Sequence, residues 1–240
     1  MSVDFHYKID NENPDNKKRF IRSMFDSIVP TYDLLNRLLS MGIDRLWRRK
    51  VRRLIGPKST DLVIDLCCGT GDLSKLLHKR CTVVSLDFSF KMIQKGIKKK
   101  RILDHPITAD ACNIPFKDNS FNSATIAFGI RNIPDINIFL TGIHRALKPG
   151  GMLAILELSR PSNSFIKFFY TFYLNKVIPF FGGIISGKRK AYMYLAKTIT
   201  TFIDYNELTG LLKSHGFNNV QAHPRTFGIA TIITAHKEIK

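Results

Sequence analysis

Asp61-Leu62-Val63-Ile64-Asp65-Leu66-Cys67-Cys68-Gly69-Thr70-Gly71-Asp72 is the stretch on which the fold turns. Residues 61–66 have the length and apolar character of a buried strand, and the run ends among glycines. Glycines at that point let the chain turn sharply and let a ligand approach main-chain amides. A dinucleotide fingerprint would continue as Gly-x-Gly-x-x-Gly, but Ser74 holds the sixth place. Asp72 would also set a negative charge where a pyrophosphate needs a helix N-terminus. Phosphate-free ligands escape both objections.

Working outward, strands and helices alternate. Helix 72–79 leads to strand 81–87, helix 89–100 to weak strands at 105–109 and 123–128, and helix 134–147 to strand 152–158. The turn Lys148-Pro149-Gly150-Gly151 separates the last two. Two further strands, 219–223 and 229–235, are close enough to pair as a hairpin. Helical crossovers of this length are right-handed and make the sheet parallel. The pattern predicts an α/β fold, a doubly wound and mostly parallel seven-stranded sheet. Ahead of it, residues 17–54 read as helical, with Phe20, Met24, Phe25 and Ile28 on one stripe and Leu34, Leu35, Leu38 and Leu39 on another. Pro30 divides them, Gly42 opens a third helix, and residues 13–16 read as a loop. The expected organisation is a helical segment 1–56 and a main domain 57–240 carrying an insertion at 161–205.

That insertion begins with a dense aromatic run, Phe165 to Phe181. As a membrane span it would place Lys167 and Lys176 in hydrocarbon at a cost of roughly 2.5–3.5 kcal/mol each. Pro179 with Gly182-Gly183 is expected to break it early, so a helical lid is favoured, with helices at 164–181 and 190–203. The net charge is +18 over 240 residues, with a hydrophobic fraction of 44%, which excludes a disordered chain and implies attraction to nucleic acid, an acidic membrane leaflet or an acidic ligand without choosing among them. Cys67, Cys68, Cys81 and Cys112 fit no zinc spacing and no secreted disulfide scaffold, so no metal site is expected. Residues Met1 to His6 carry no signal-peptide core, and the compartment reads as reducing and cytoplasmic.

Three acids at the ends of three successive strands give the loop its meaning. Asp65 ends the first, Asp87 the second, 18 residues after Gly69, and Asp110, followed by Ala111, the third. S-adenosyl-L-methionine fits this set. Asp65 suits its ammonium, the amides of Gly69, Thr70 and Gly71 its carboxylate, Asp87 its ribose hydroxyls, and Asp110 with Ala111 its adenine.

Several further runs resemble the ubiquinone/menaquinone biosynthesis C-methyltransferase family. They are Tyr32-Asp33-Leu34-Leu35-Asn36, Gly42-Ile43-Asp44-Arg45-Leu46-Trp47-Arg48, Gly69-Thr70-Gly71-Asp72-Leu73, Ile114-Pro115-Phe116, Phe128-Gly129-Ile130-Arg131-Asn132 and Leu156-Glu157-Leu158-Ser159-Arg160-Pro161. The resemblance covers residues from about Lys17 onward. It implies strand order 3-2-1-4-5-7-6 and methyl transfer from S-adenosylmethionine to a ring carbon of a polyprenylated quinol. Demethylmenaquinol is the first substrate implied and a ubiquinone precursor the alternative. The family's cofactor contacts fall on Thr70, Asp87 and Asp110-Ala111. Two departures are Cys67-Cys68, where small residues are usual, and Ala127, where a serine is common.

Arg131 is the candidate catalytic residue, stabilising a phenolate or positioning a water that removes its proton. Tyr32 is a further candidate for the pocket wall. The basic runs at 45–53, 95–101 and 188–190 are expected to favour the anionic inner face of a membrane. An RNA methyltransferase is the rival that the charge invites. Against it, no Asn/Asp-Pro-Pro-aromatic run follows the fourth strand and no Pro-Cys pair offers a nucleophile, so no nucleic acid is expected. The presence of all three acids counts against a non-catalytic binding module. Whether the protein forms a homodimer is left open.

Overall fold

The computed structural model describes residues 14–239; the signal-peptide reading of Met1 to His6 lies outside them. Three helices open the described chain: α1 (Pro14–Ile28), α2 (Tyr32–Leu39) and α3 (Asp44–Ile55). Residues 14–16, expected in a loop, are already helical, since a proline is well tolerated in a first turn.

Then come β1 (Leu62–Leu66), α4 (Ser74–Leu77), β2 (Thr82–Asp87), α5 (Phe90–Lys98), β3 (His105–Thr108) and β4 (Phe121–Ala127). A 3-10 turn (Ile130–Asn132) leads to α6 (Ile136–Ala146) and β5 (Leu147–Leu158). The insertion holds α7 (Ser164–Phe172), α8 (Ile178–Ser186) and α9 (Arg189–Thr201), and α10 (Tyr205–Ser214), β6 (Phe217–Arg225) and β7 (Ala230–Lys237) complete the domain. The seven strands lie in the order β3-β2-β1-β4-β5-β7-β6, as the resemblance implied. The first five are parallel, and β7 runs antiparallel to both β5 and β6.

Alternation along the central strands feeds two apolar layers, which is what a sheet covered on both faces requires. Ile64 and Leu66 join Phe139, Leu140 and Ile143 of α6 and Leu208 and Leu212 of α10 on one face. Val63 and Val83 join Trp47 and Val51 of α3 and Leu77 of α4 on the other. A third cluster brings Met24, Ile28 and Leu35 of the leading helices against Tyr170, Leu174, Ile178 and Tyr192 of the insertion. The insertion therefore packs on the N-terminal helices.

Three expectations are corrected. The helix expected at 72–79 shortens to Ser74–Leu77, because Gly71 N–H first closes a turn onto Cys68 O at 2.9 Å. β5 starts at Leu147, with the expected turn absorbed as a register shift against β4 between Phe121 and Ser123. The aromatic helix also does not break. A π-helical turn at Tyr173–Val177 precedes Pro179 at the head of α8, where its missing N–H is best accommodated, so 164–186 is continuous. Gly182 serves the contact with α9, for a Cβ there would lie 2.3 Å from Tyr192 Cγ. Among the described residues, Ser164–Ser186 is long and apolar enough to cross a membrane by length and composition.

Candidate active site

Parallel strands all present their C-terminal ends to the same edge, where open α/β sheets bind ligands. There the loops after β1 to β4 enclose a cavity of about 300 Å³, with α1 as its cover. Asp87 sits at its centre, buried, with Oδ2 accepting from Gly69 N at 2.8 Å and Oδ1 from Ser89 N at 2.9 Å. Each carboxylate oxygen keeps a lone pair for a further donor. Burial pushes the Asp87 carboxyl up to about 6, against those two backbone donors, and the nearby charges of Asp65 and Asp26 add to the rise. Asp110 and Ala111 line the same cavity. Asp110 Oδ2 pairs with Lys18 of α1 at 2.8 Å and Oδ1 accepts from Cys112 N at 2.9 Å.

Gly69 lines the cavity as well, whereas Asp65, Thr70 and Gly71 stand behind its wall. Asp65 is fully enclosed, its Oδ2 accepting from Ser74 Oγ at 2.6 Å and its Oδ1 from Thr125 Oγ1 at 2.8 Å. Burial also lifts its carboxyl to about 6, opposed by these two hydroxyls. Its geometry is that of a strut joining β1, β4 and α4, and the cavity lining does not include it. Thr70 Oγ1 donates to Asp33 Oδ1 at 2.5 Å and accepts from Arg101 Nη1 at 3.2 Å, again away from the lining. Gly69 N–H is committed to Asp87 and Gly71 N–H to Cys68 O, so neither amide is free for a carboxylate. Asp33 ties α2 to the segment that follows α5 through Lys99 at 2.5 Å and Arg101 at 3.2 Å. Burial works against its ionisation, yet hydrogen bonds from Lys99 and Thr70 and the neighbouring cations hold its carboxyl at about 2.

Local backbone strain marks the cavity. Cys67 and Phe128, both lining it, take left-handed conformations with φ of 51° and 61°, which side-chain-bearing residues adopt at a cost. They are held by close packing: a Cβ on Gly129 would lie 2.6 Å from Cys67 Cβ. Burial, reinforced by Asp87 and Asp65, raises the Cys67 and Cys68 thiols well above their usual range. Both remain thiols at neutral pH and are poor nucleophiles.

A second cavity, about 590 Å³, lies between α1–α3 and the insertion. Its walls are overwhelmingly apolar, including Phe165, Phe169 and Phe172 of α7 and Leu195 of α9. Phe25, Tyr32, Phe128 and Asn132 line both cavities and form the partition between them. Tyr32 is thus a wall residue. Burial raises its phenol, partly offset by Asn36 and Arg48. Arg48, ion-paired with Asp44, stacks its guanidinium 4.9 Å from the Phe128 ring centroid. Arg131 lines this second cavity beside Tyr170 and Tyr194, and its Nη1 is ion-paired with Glu157 at the end of β5. The sequence reading gave Phe128, Asn132, Glu157 and Tyr170 no individual role, although the first three stand in runs that carry the resemblance. Glu157 carried the same signal as Asp87, an acid at the tip of an apolar strand.

A sheet of this order with an acid-tipped crevice is the class I S-adenosylmethionine-dependent methyltransferase fold. The fold is shared with an S-adenosylmethionine-dependent methyltransferase of Thermotoga maritima (TM-score 0.65, 21% identity, 90% of this chain and 99% of that one). It is also shared with the [4+2]-cyclase SpnF (TM-score 0.66, 14% identity, 92% and 96%), so fold alone does not fix the chemistry. Sequence is more specific. The model of the ubiE/COQ5 methyltransferase family matches residues 12–237, and the chain belongs to that family. It is 38% identical over 229 residues to a demethylmenaquinone methyltransferase of Lactiplantibacillus plantarum, covering 92% of this chain and 97% of the relative. To the ubiquinone/menaquinone biosynthesis C-methyltransferase UbiE of Geobacter sp. M21 it is 42% identical over 226 residues, covering 90% and 96%.

Proposed function

We propose that this enzyme transfers a methyl group from S-adenosylmethionine to a ring carbon of a polyprenylated quinol, converting demethylmenaquinol to menaquinol. The carrying observation is the pair of cavities, one acid-centred and one apolar, that share a thin partition. Family membership supports quinol C-methylation as the chemistry.

S-adenosylmethionine, when bound, supplies an electrophilic methyl group on a sulfonium. Asp87 accepts the ribose hydroxyls, and Asp110 with Ala111 flanks the adenine. Arg19 and Arg22, which line the cavity from α1, supply the positive charge a methionyl carboxylate requires. Asp65, Thr70 and Gly71 act by holding the loop that shapes the cavity floor. Phe25, Tyr32, Phe128 and Asn132, which line both cavities, frame the junction where the acceptor carbon meets the methyl group in line, and a separation of about 3–3.5 Å there captures most of the rate gain from positioning. The same aromatic groups exclude water, which favours a transition state with dispersed charge. Arg131 stabilises the phenolate that makes the ring carbon nucleophilic.

The isoprenoid tail lies along the aromatic wall of α7, with the insertion as its lid. Because residues of 164–186 pack in the same cluster as α1, α2 and α9, this helix serves as a cavity wall. We place the enzyme in the cytoplasm, with its basic runs facing the anionic inner leaflet. Incubation with methyl-labelled S-adenosylmethionine and either demethylmenaquinol or the ubiquinone precursor tests the assignment. Label in the naphthoquinol is expected. Label only in the benzenoid precursor selects the other branch, and label in neither rejects a quinol substrate.

A further inference from the structure

The aromatic helix of the insertion is apolar on two faces. One face packs inward: Tyr170, Leu174 and Ile178 join the cluster of the N-terminal helices, and Gly182 meets Tyr192 of α9. The other face meets solvent. Phe165, Phe168, Phe169 and Phe172 of α7, and Phe180, Phe181 and Ile184 of α8, are each between 45% and 72% exposed. The first four recur at i, i+3, i+4 and i+7, so they share one stripe of the helix. Their rings touch, with centroids 4.8 Å apart for Phe165 and Phe169 and 5.5 Å for Phe168 and Phe169. A soluble protein seldom leaves a continuous apolar face in water, and such a face marks a surface that something covers.

Charge says what covers it. From Arg160 to Ile203 the chain carries seven Lys and Arg residues and no Asp or Glu. Lys167 and Lys176 lie within the aromatic helix, both exposed, and Lys188 and Arg189 follow its end. A second copy of this chain would set these cations against their own kind, whereas an anionic lipid surface neutralises them. Aromatic residues on one helix face, with lysine stems reaching past them, are the pattern of a helix that lies in the headgroup layer. A crossing of the bilayer would tear the inner face of this helix from the N-terminal helices.

The apolar cavity opens on the same face. Phe165, Phe169 and Phe172 line it while standing more than half exposed, as does Met41 just beyond α2 at 78%. Residues that both line a cavity and meet solvent stand at its mouth. Resting on the quinol reading above, we propose that the outer face of α7 and α8 seats in an anionic membrane leaflet with the cavity mouth toward the acyl chains. The membrane contact is then the substrate entrance, and an isoprenoid tail passes from lipid to protein without meeting water.

Flotation with lipid vesicles tests the seat without any quinol. Wild-type protein is expected to float with vesicles of phosphatidylcholine and phosphatidylglycerol and to stay behind with phosphatidylcholine alone. The combined variant Phe168→Ser, Phe180→Ser and Ile184→Ser alters three exposed side chains that line neither cavity. Its vesicle binding is expected to fall about tenfold or more, with thermal unfolding unchanged. Lys167→Gln with Lys176→Gln is expected to weaken binding at least about tenfold, each cation near the surface being worth about fivefold. That pair also carries the test if the serine variant fails to fold. In turnover, the serine variant is expected to lose about tenfold in kcat/KM for long-tailed demethylmenaquinol held in vesicles, and to stay within about twofold of wild type for a tail-less quinol in solution. A wild type that floats but methylates neither quinol leaves the membrane seat standing and removes the substrate assignment. One that methylates the tail-less quinol but does not float overturns the seat alone. Equal flotation with neutral vesicles, unchanged flotation of the serine variant, or a dimer that the serine variant dissociates also overturns the proposal.

Discussion

The two cavities are built on opposite plans. The acid-centred one rests on strand tips, where backbone hydrogen bonds from Gly69 and Ser89 fix a single carboxylate to within one orientation. The apolar one is assembled from helices that meet through side chains such as Leu35, Leu174, Ile178 and Tyr192. Strand tips suit a ligand of constant shape, and helices with aromatic faces suit a tail of variable length. Binding of the methyl donor is therefore expected to hinge on one side chain, and binding of the acceptor to spread over many.

The sharpest break between the two plans is Asp87→Ala. It removes the carboxylate proposed to hold the ribose and frees the Gly69 and Ser89 amides, so calorimetry is expected to show S-adenosylmethionine affinity falling more than about a hundredfold, as two charge-assisted hydrogen bonds imply. Retained affinity would move the donor out of this cavity. Next in size is Arg131→Lys, chosen because alanine would strand the buried Glu157 charge at a cost of about 3–5 kcal/mol. Turnover is expected to drop about tenfold to a hundredfold with donor affinity unchanged, and a matching loss of donor affinity would place Arg131 on the wrong side of the partition.

Acidity separates Asp87 from Asp65, since both carboxyls are raised to about 6. Ribose hydroxyls need the ionised Asp87 as acceptor, so donor affinity is expected to weaken as pH falls through about 6, by about tenfold at pH 5. Asp65→Asn should keep that pH dependence and most of the affinity, while losing about 1–3 kcal/mol of stability from the disturbed Ser74 and Thr125 bonds. The sign for stability is opposite to that for binding. Carboxyls whose folded values are raised favour the folded state below about 4 and lose that contribution as pH rises through about 6. The smallest effect belongs to the helical wall: Phe169→Ala should raise KM severalfold for a long-tailed quinol and leave a tail-less one unchanged, as buried aromatic contact predicts.

The same contrast explains how much the sequence disclosed. The sheet, its order and the meeting of Asp87, Asp110 and Ala111 at one cavity were legible because strand, glycine turn and terminal acid are contiguous along the chain. Contiguity also misled, for Asp65, Thr70 and Gly71 sit in the motif yet face the loop's own interior. A sequence pattern locates the loop without saying which of its groups the fold consumes in hydrogen bonds. Apart from Tyr32, the partition escaped because Phe25 and Tyr32 come from one stretch of the chain and Phe128 and Asn132 from another far along it. Nothing local to Tyr170 announces that α7 buries its phenol where the charges of Arg131 and Glu157 are felt. The continuous helix through Pro179 was misjudged because a π-turn, invisible in composition, precedes the proline.

A ternary crystal structure with S-adenosylhomocysteine and demethylmenaquinol tests the two-cavity account most directly. It should place the ribose on Asp87, the sulfur at the junction framed by Tyr32 and Phe128, and the unmethylated ring carbon directly facing that sulfur, with the tail along α7. A nucleoside lodged among the aromatic residues of α7, or a quinol ring bound away from Tyr32, Phe128 and Asn132, would contradict it.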